Sequence, residues 1–400
     1  MFNFSQYNYY PMIKTVAILL SAIFYCNCGL TQSDGIITGA EQPEEYLPLL
    51  TNRRVGLVVN NTSLSEEVHL VDFLMSRNIN VTKIFAPEHG FRGEAAAGEI
   101  INDGVDLKTG ITVVSLYGKT KKPSPGHLDD VDIILFDIQD VGCRFYTYIS
   151  TLHLVMEACA EKGIPMIVTD RPNPNGDYIA GPLLESRFTS FVGMHPIPVV
   201  HGCTTGELAL MINGEHWHQA PLKCDLTIIP VKNYTHSTSY SLPVNPSPNL
   251  PNDLAVRLYP SLCFFEATSV SVGRGTEFPF QVLGAPVPEL GDFSFTPRSI
   301  PGVAMHPLHE GKLCYGIDLR KSGEIPKFTL KYFMDFYHKY GDEKNFLTRE
   351  NWFNLLAGTD KLIWQIRQGY SEKEIMDSWK PELEAYKELR SNYLLYPDFE

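Results

Sequence analysis

Val131-Asp132-Ile133-Ile134-Leu135-Phe136 is a short, largely apolar run that ends at once in Asp137-Ile138-Gln139-Asp140. Such a run, apolar at both parities over its last four residues, predicts a strand buried on both faces, as in parallel sheets. The same figure recurs on either side. Upstream, Arg54 to Val59 ends in Asn60-Asn61-Thr62, Val81 to Ala86 in Pro87-Glu88-His89-Gly90, and Ile111 to Leu116 in Tyr117-Gly118-Lys119. Downstream, Pro165 to Thr169 ends in Asp170-Arg171-Pro172-Asn173-Pro174. Helical periodicity lies between, at Glu66 to Arg77 and Tyr146 to Lys162. The alternation predicts an α/β fold, a doubly wound, Rossmann-like parallel sheet spanning residues 36–235.

In open α/β sheets, ligands bind beyond the carboxyl ends of the strands. Those ends are where this chain places Glu, His, Asp, Asn and Arg, which are costlier choices than a plain turn requires. After the strand-like Leu226 to Val231, the Pro- and Asn-rich stretch from Leu242 to Pro251 reads as an extended connector lining a cleft. Beyond it, residues 240–400 are expected to form a smaller α+β carboxy-terminal domain completing that cleft. Its strand candidates are Leu262 to Val272 and Leu313 to Leu319. Its helical patterns run from Leu330 to Tyr340, Arg349 to Ala357, Lys361 to Gln368 and Ser371 to Arg390.

A chain of 400 residues favours two cores over one. The formal charge of −13 disfavours a nucleic-acid partner, which would need clustered Lys and Arg. A few local arginines could still hold a small anionic substrate. Residues 1–28 carry a signal-peptide pattern: Lys14, the apolar stretch Val16 to Tyr25, then small and polar residues. The stretch is too short to span a bilayer, so an exported, periplasmic protein without a transmembrane span is expected. Cys26 and Cys28 follow the stretch directly, and either could carry a lipid anchor. The six later cysteines are widely spaced and are expected to be buried thiols rather than metal ligands.

Cofactor motifs are missing. Asn60-Asn61-Thr62-Ser63 stands where a dinucleotide-binding glycine motif would follow the first strand, and Gly118-Lys119-Thr120 lacks the earlier glycine of a phosphate loop. His216 and His218 alternate on a predicted helix and would point apart. No G-x-S-x-G elbow marks a serine esterase. Neither a metal nor an organic cofactor is implied.

Carboxylates remain, and glycoside hydrolysis needs an acid for the leaving oxygen and usually a second carboxylate. Glu88 is the candidate acid, fixed by Pro87 at a strand end, with His89 beside it to orient it or tune its charge. Asp137, Asp140 and Asp170 each could be its partner, or equally cap a helix or brace a loop. Glu207 has capping-box spacing from Thr204 and reads as structural. Glu266 lies in an apolar segment and needs a partner, for which Arg274 is suited. Arg92, Arg144, Arg171 and Arg274 could fork onto a substrate carboxylate, and Gln139 and Asn173 stand among them. Tyr117, Tyr146, Tyr148 and Tyr259 could offer flat surfaces to sugar rings.

Taken together, Ala86-Pro87-Glu88-His89-Gly90-Phe91-Arg92-Gly93, the run from Asp137 to Tyr148, Asp170 to Pro174, and Val272-Gly273-Arg274-Gly275-Thr276 resemble the exo-β-N-acetylmuramidase (NamZ) family. The motifs keep the family's order over most of the chain. The resemblance implies cleavage of a terminal, non-reducing β-1,4-linked N-acetylmuramic acid from peptidoglycan fragments, with Glu88 as the acid. It also implies a site between a Rossmann-like domain and a smaller one. Two rivals remain at this stage. One is a non-catalytic envelope protein that binds muropeptides or sugars. The other is an amidase or esterase using Cys143 with His89.

Overall fold

The computed structural model describes residues 35–88, 90–92, 103–321, 323 and 327–400. The expected leader, with Cys26 and Cys28, lies outside them, as does His89. Among the described residues, seven strands form the main sheet in the order Gly104–Val105, Thr112–Ser115, Val81–Ala86, Val55–Val59, Ile133–Asp137, Met166–Thr169, Leu226–Ile229. Neighbours run parallel except at the short Gly104–Val105 edge. In the centre, Val58 is registered between Phe85 and Phe136.

The unbroken apolar runs are explained by what covers each face. Val58, Phe85, Ile134, Phe136 and Val168 pack with Leu152, Val155, Met156 and Cys159 of the helix Tyr148–Lys162. Val55, Leu57, Val59, Ile84, Leu135 and Ile167 turn the other way. They meet Tyr46 and Leu50 of the helix Pro43–Leu50, and Leu70, Val71 and Leu74 of the helix Leu70–Ser76. With both faces covered, polar residues are few before a strand's end, and Lys83, inside Val81–Ala86, reaches out to His127 O and Asp130. The helix expected from Glu66 begins later, at Leu70. A small ribbon, Leu64–Ser65 with Val68–His69, takes the residues before it, and the His69 ring accepts from Val71 N at 3.3 Å.

The second half carries a three-stranded antiparallel sheet with Cys314–Asp318 between Val282–Ala285 and Phe293–Phe295. The helices Lys331–Tyr340, Glu350–Ala357, Lys361–Arg367 and Glu372–Ser391 follow. The strand expected from Leu262 to Val272 needs correction. A helix, Asp253–Leu262, passes directly into a 3-10 turn, Cys263–Ala267, so Glu266 sits on a helical turn. Asn252 starts the helix by accepting from Ala255 N at 3.0 Å. Pro260 lies inside it and cannot donate to the Val256 carbonyl one turn back. That carbonyl accepts from Asn175 Nδ2 at 3.2 Å instead. The helical turn also sends Phe264 and Phe265 against Phe333 and Phe353 in the core.

Among the described residues, no helix is long and apolar enough to cross a membrane. The six described cysteines are buried and unpaired.

Candidate active site

A cavity of about 1220 Å³ opens between the carboxyl ends of the sheet and the second half of the chain. Glu88 enters it from the end of the strand Val81–Ala86. Gly90 N donates to Pro87 O at 3.1 Å, closing a tight turn with Glu88 at its tip. Gly90 adopts φ +74°, a conformation favoured by glycine. Thr147, at the head of the helix Tyr148–Lys162, leaves its hydroxyl out of helix capping. That hydroxyl donates to Glu88 Oε2 at 3.2 Å. Tyr117 also lines the cavity, and burial together with the adjacent Glu88 charge raises its phenol above the ordinary tyrosine range.

The facing wall supplies Glu266 and Arg274. Arg274 Nη2 donates to Glu266 Oε1 at 2.6 Å, and its guanidinium lies 5.1 Å from the centre of the Phe280 ring. Gly273 and Gly275, at φ +82° and +80°, turn the backbone tightly on both sides of Arg274. The pairing expected between these residues is present, although on a helical turn rather than a strand. Tyr146 contributes to the floor, with its hydroxyl donating to Pro246 O at 2.7 Å. Tyr146 packs edge to face against both Tyr148 and Tyr259, and all three line the cavity.

The remaining strand-end residues are turned inward and are not among the cavity lining. Arg171 grips Asp137 with two bonds, 2.7 and 2.8 Å, and donates to Leu64 O at 2.7 Å. Asp140 accepts from Gly142 N at 2.6 Å. Gln139 Nε2 donates to the carbonyls of Asp140 and Pro172, and Asn173 Nδ2 to that of Cys203. Asp170 is fully buried and accepts four hydrogen bonds. Arg171 N and Gly206 N donate to one oxygen, and the Thr204 and Tyr396 hydroxyls to the other, all at 2.6–2.9 Å.

Burial still raises the Asp170 carboxyl to about 6. Its folded pKa therefore exceeds the unfolded one, and the native state holds the proton more tightly. That contribution is complete below about pH 4 and disappears as pH rises through about 6. Asp170→Asn should consequently gain stability relative to wild type across this window, by on the order of 2–3 kcal/mol. Denaturant titrations at pH 4 and pH 7 check this, and a pH-independent difference would refute it.

Arg92 binds Asp106 at 2.9 Å and Asp72 at 3.6 Å, outside the cavity lining. Arg144 is completely buried and donates to four carbonyls, those of Pro182, Ile197, Leu356 and Ala357, at 2.6–3.0 Å. Glu207 closes its capping box and also meets His236 at 3.0 Å, as a structural residue would. Cys143 is fully buried, and burial pushes its thiol well above the usual range. It is also absent from the cavity lining, so it offers no accessible thiolate for amide or ester cleavage.

Thr147 was not singled out by the sequence. It carries no local sequence signal, and only its place at the helix start, without a capping bond, leaves its hydroxyl for Glu88. Met305 to Leu308 and the Arg349–Trp352 stack also line the cavity without any local sequence signal.

Comparison with known proteins points in one direction. The family models described as exo-beta-N-acetylmuramidase NamZ, N-terminal and C-terminal, match residues 55–254 and 257–396. The chain is 40% identical over 375 residues to the peptidoglycan beta-N-acetylmuramidase NamZ of Bacillus subtilis (strain 168), covering 88% of this chain and 89% of that protein. It is similar to two crystal structures of DUF1343 family proteins from Bacteroides fragilis NCTC 9343. One is 47% identical with a TM-score of 0.84, covering 91% of this chain and 99% of the other. The second is 29% identical with a TM-score of 0.78, covering 90% and 99%.

Proposed function

The chain belongs to the exo-β-N-acetylmuramidase NamZ family, a family of glycoside hydrolases, and from that premise we propose how its cavity works. It removes a terminal, non-reducing β-1,4-linked N-acetylmuramic acid from peptidoglycan fragments. The observation that carries this reading is Glu88, a carboxyl at the tip of a turn, held by a hydroxyl and facing a large cavity. Glu88 gives its proton to the departing glycosidic oxygen.

Muramic acid carries a lactyl carboxylate, and Arg274 suits it. Among the described residues, only one of this guanidinium's nitrogens is hydrogen-bonded, which leaves donors for a second carboxylate. The volume exceeds the roughly 300–1,000 Å³ usual for ligand pockets, which supports a fragment longer than one ring. The inward-turned Asp137, Asp140, Asp170 and Arg171 act as the frame beneath the site, holding the strand-end loops in place. The leader-like residues 1–28 support work outside the inner membrane, where peptidoglycan lies.

The test is release of 4-nitrophenol from its β-N-acetylmuramide, with the β-N-acetylglucosaminide as control. Turnover of the muramide alone is expected. Tight muropeptide binding without turnover would instead make the protein a binding module. Thr147→Val should lower kcat roughly tenfold, since its bond to Glu88 strengthens as the proton leaves, and a hydrogen bond to the charged carboxylate contributes about 1.5 kcal/mol. An unchanged kcat at equal folded concentration would show that this bond does nothing for Glu88.

A further inference from the structure

We infer that Glu266 is the second carboxylate of the reaction, acting on the face of the sugar opposite Glu88. The inference rests on the glycosidase reading above and assigns a residue that the reading leaves open.

Among the described residues, two carboxyl groups line the cavity, Glu88 and Glu266. They come from different walls, one from the end of a sheet strand and one from the 3-10 turn Cys263–Ala267. Both act on one half-buried side chain: the charges of Glu88 and Glu266 each help to hold Tyr117 protonated, after the larger effect of desolvation. The two acids therefore overlook a common region of the cavity. The other acids at the sheet end lie outside the cavity lining. Asp137 has both oxygens on Arg171, Asp170 has two donors on each oxygen, and Asp140 is buried with one oxygen on Gly142 N.

Glu266 is positioned as a reacting group would be. Arg274 fixes one of its oxygens at 2.6 Å, and the Phe280 ring backs Arg274. The other oxygen accepts no hydrogen bond from any described residue, which leaves it available to the cavity. A rigid carboxylate with one committed and one open oxygen suits attack on the anomeric carbon or on a water beside it.

The bonds balance by either route. Glu88 gives its proton to the glycosidic oxygen as the bond from that oxygen to the anomeric carbon breaks. In one route, the oxygen of a water bonds to the anomeric carbon while Glu266 takes a proton from that water. In the other, Glu266 itself bonds to the carbon, and water then displaces it, giving its proton to the now ionised Glu88. One water is consumed in each case. In both, the group on the far face is Glu266.

The experiment uses the full chain with 4-nitrophenyl β-N-acetylmuramide, with and without sodium azide. Glu266→Ala and Glu266→Ser, each shown to melt as wild type, should lose about 10²- to 10⁴-fold in kcat. Azide should restore turnover in these small variants, because it fits the space vacated and attacks the same face. The product expected is the α-configured N-acetylmuramyl azide. A β-configured azide, or a folded small variant that azide does not rescue, overturns the assignment. Glu266→Gln keeps the size of the side chain and guards against misfolding of the others: a kcat within about threefold of wild type overturns the assignment by itself. Failure of the inference is separable from failure of the reading beneath it. If wild-type protein does not turn over the muramide, the glycosidase reading falls. If it does, and the Glu266 variants keep pace, only Glu266 loses its role.

Discussion

Glu88→Gln is expected to lose about 10²- to 10⁴-fold in turnover of fragments whose leaving group is a sugar, the usual contribution of a positioned general acid. The amide keeps the shape of the side chain and can still meet the Thr147 hydroxyl, so the melting temperature should hold. The loss should shrink when the leaving group is a strongly acidic phenol, because such an oxygen departs without being protonated. Comparing a disaccharide with a dinitrophenyl muramide separates the two contributions. Equal losses on both substrates would remove the proton-donor role and leave Glu88 as a binding group.

Arg144→Met should produce the largest change in stability, about 3–5 kcal/mol. Among the described residues the guanidinium has no carboxylate partner, and burial pushes it below its ordinary range. Its four carbonyl contacts offset that cost. Two of them, Leu356 and Ala357, are the final turn of the helix Glu350–Ala357, where a cation also meets the negative end of the helix dipole. Methionine fills much of the volume but withdraws the guanidinium from the carbonyls of Pro182, Leu356 and Ala357, and leaves Ile197 O with Leu184 N alone, at 3.3 Å. Arg144→Lys should recover little, because one ammonium cannot reach carbonyls on both sides. Chemical denaturation measures the difference, and a loss below about 1 kcal/mol would show that the carbonyls find other donors.

The sheet was legible because its physics is local. A strand covered on both faces is mostly apolar at both parities, and the bounds of Val81 to Ala86 are recovered to the residue although Thr82 and Lys83 lie inside it. The carboxy-terminal helices were legible from their periodicity. Leu262 to Val272 was not, because a short apolar run fits a strand or a buried helical turn equally well, and Asn252 decides between them from outside it. The site shows the same limit. Glu88, Asp137 and Asp170 stand at one level of the sheet in the sequence, each at a strand end. What separates them is side-chain direction, set by partners far along the chain: Arg171 for Asp137, and Thr204 and Tyr396 for Asp170. Arg144 looked like an anion ligand because arginine at a strand end usually meets acid. Its partners are backbone carbonyls, which carry no side-chain signature in a sequence.

The hydroxyl of Tyr396 reaches Asp170 at 2.6 Å and accepts from Val231 N at 2.9 Å, while Leu395 N donates to Glu207 at 2.9 Å. A ribosome delivers these residues long after the strands they complete. Until then Asp170, just past the strand Met166–Thr169, and Glu207, on the helix Thr205–Gly214, each lack one of their donors. The last stretch of chain thus acts as a latch, tying residues from three separate parts of the preceding chain to one another.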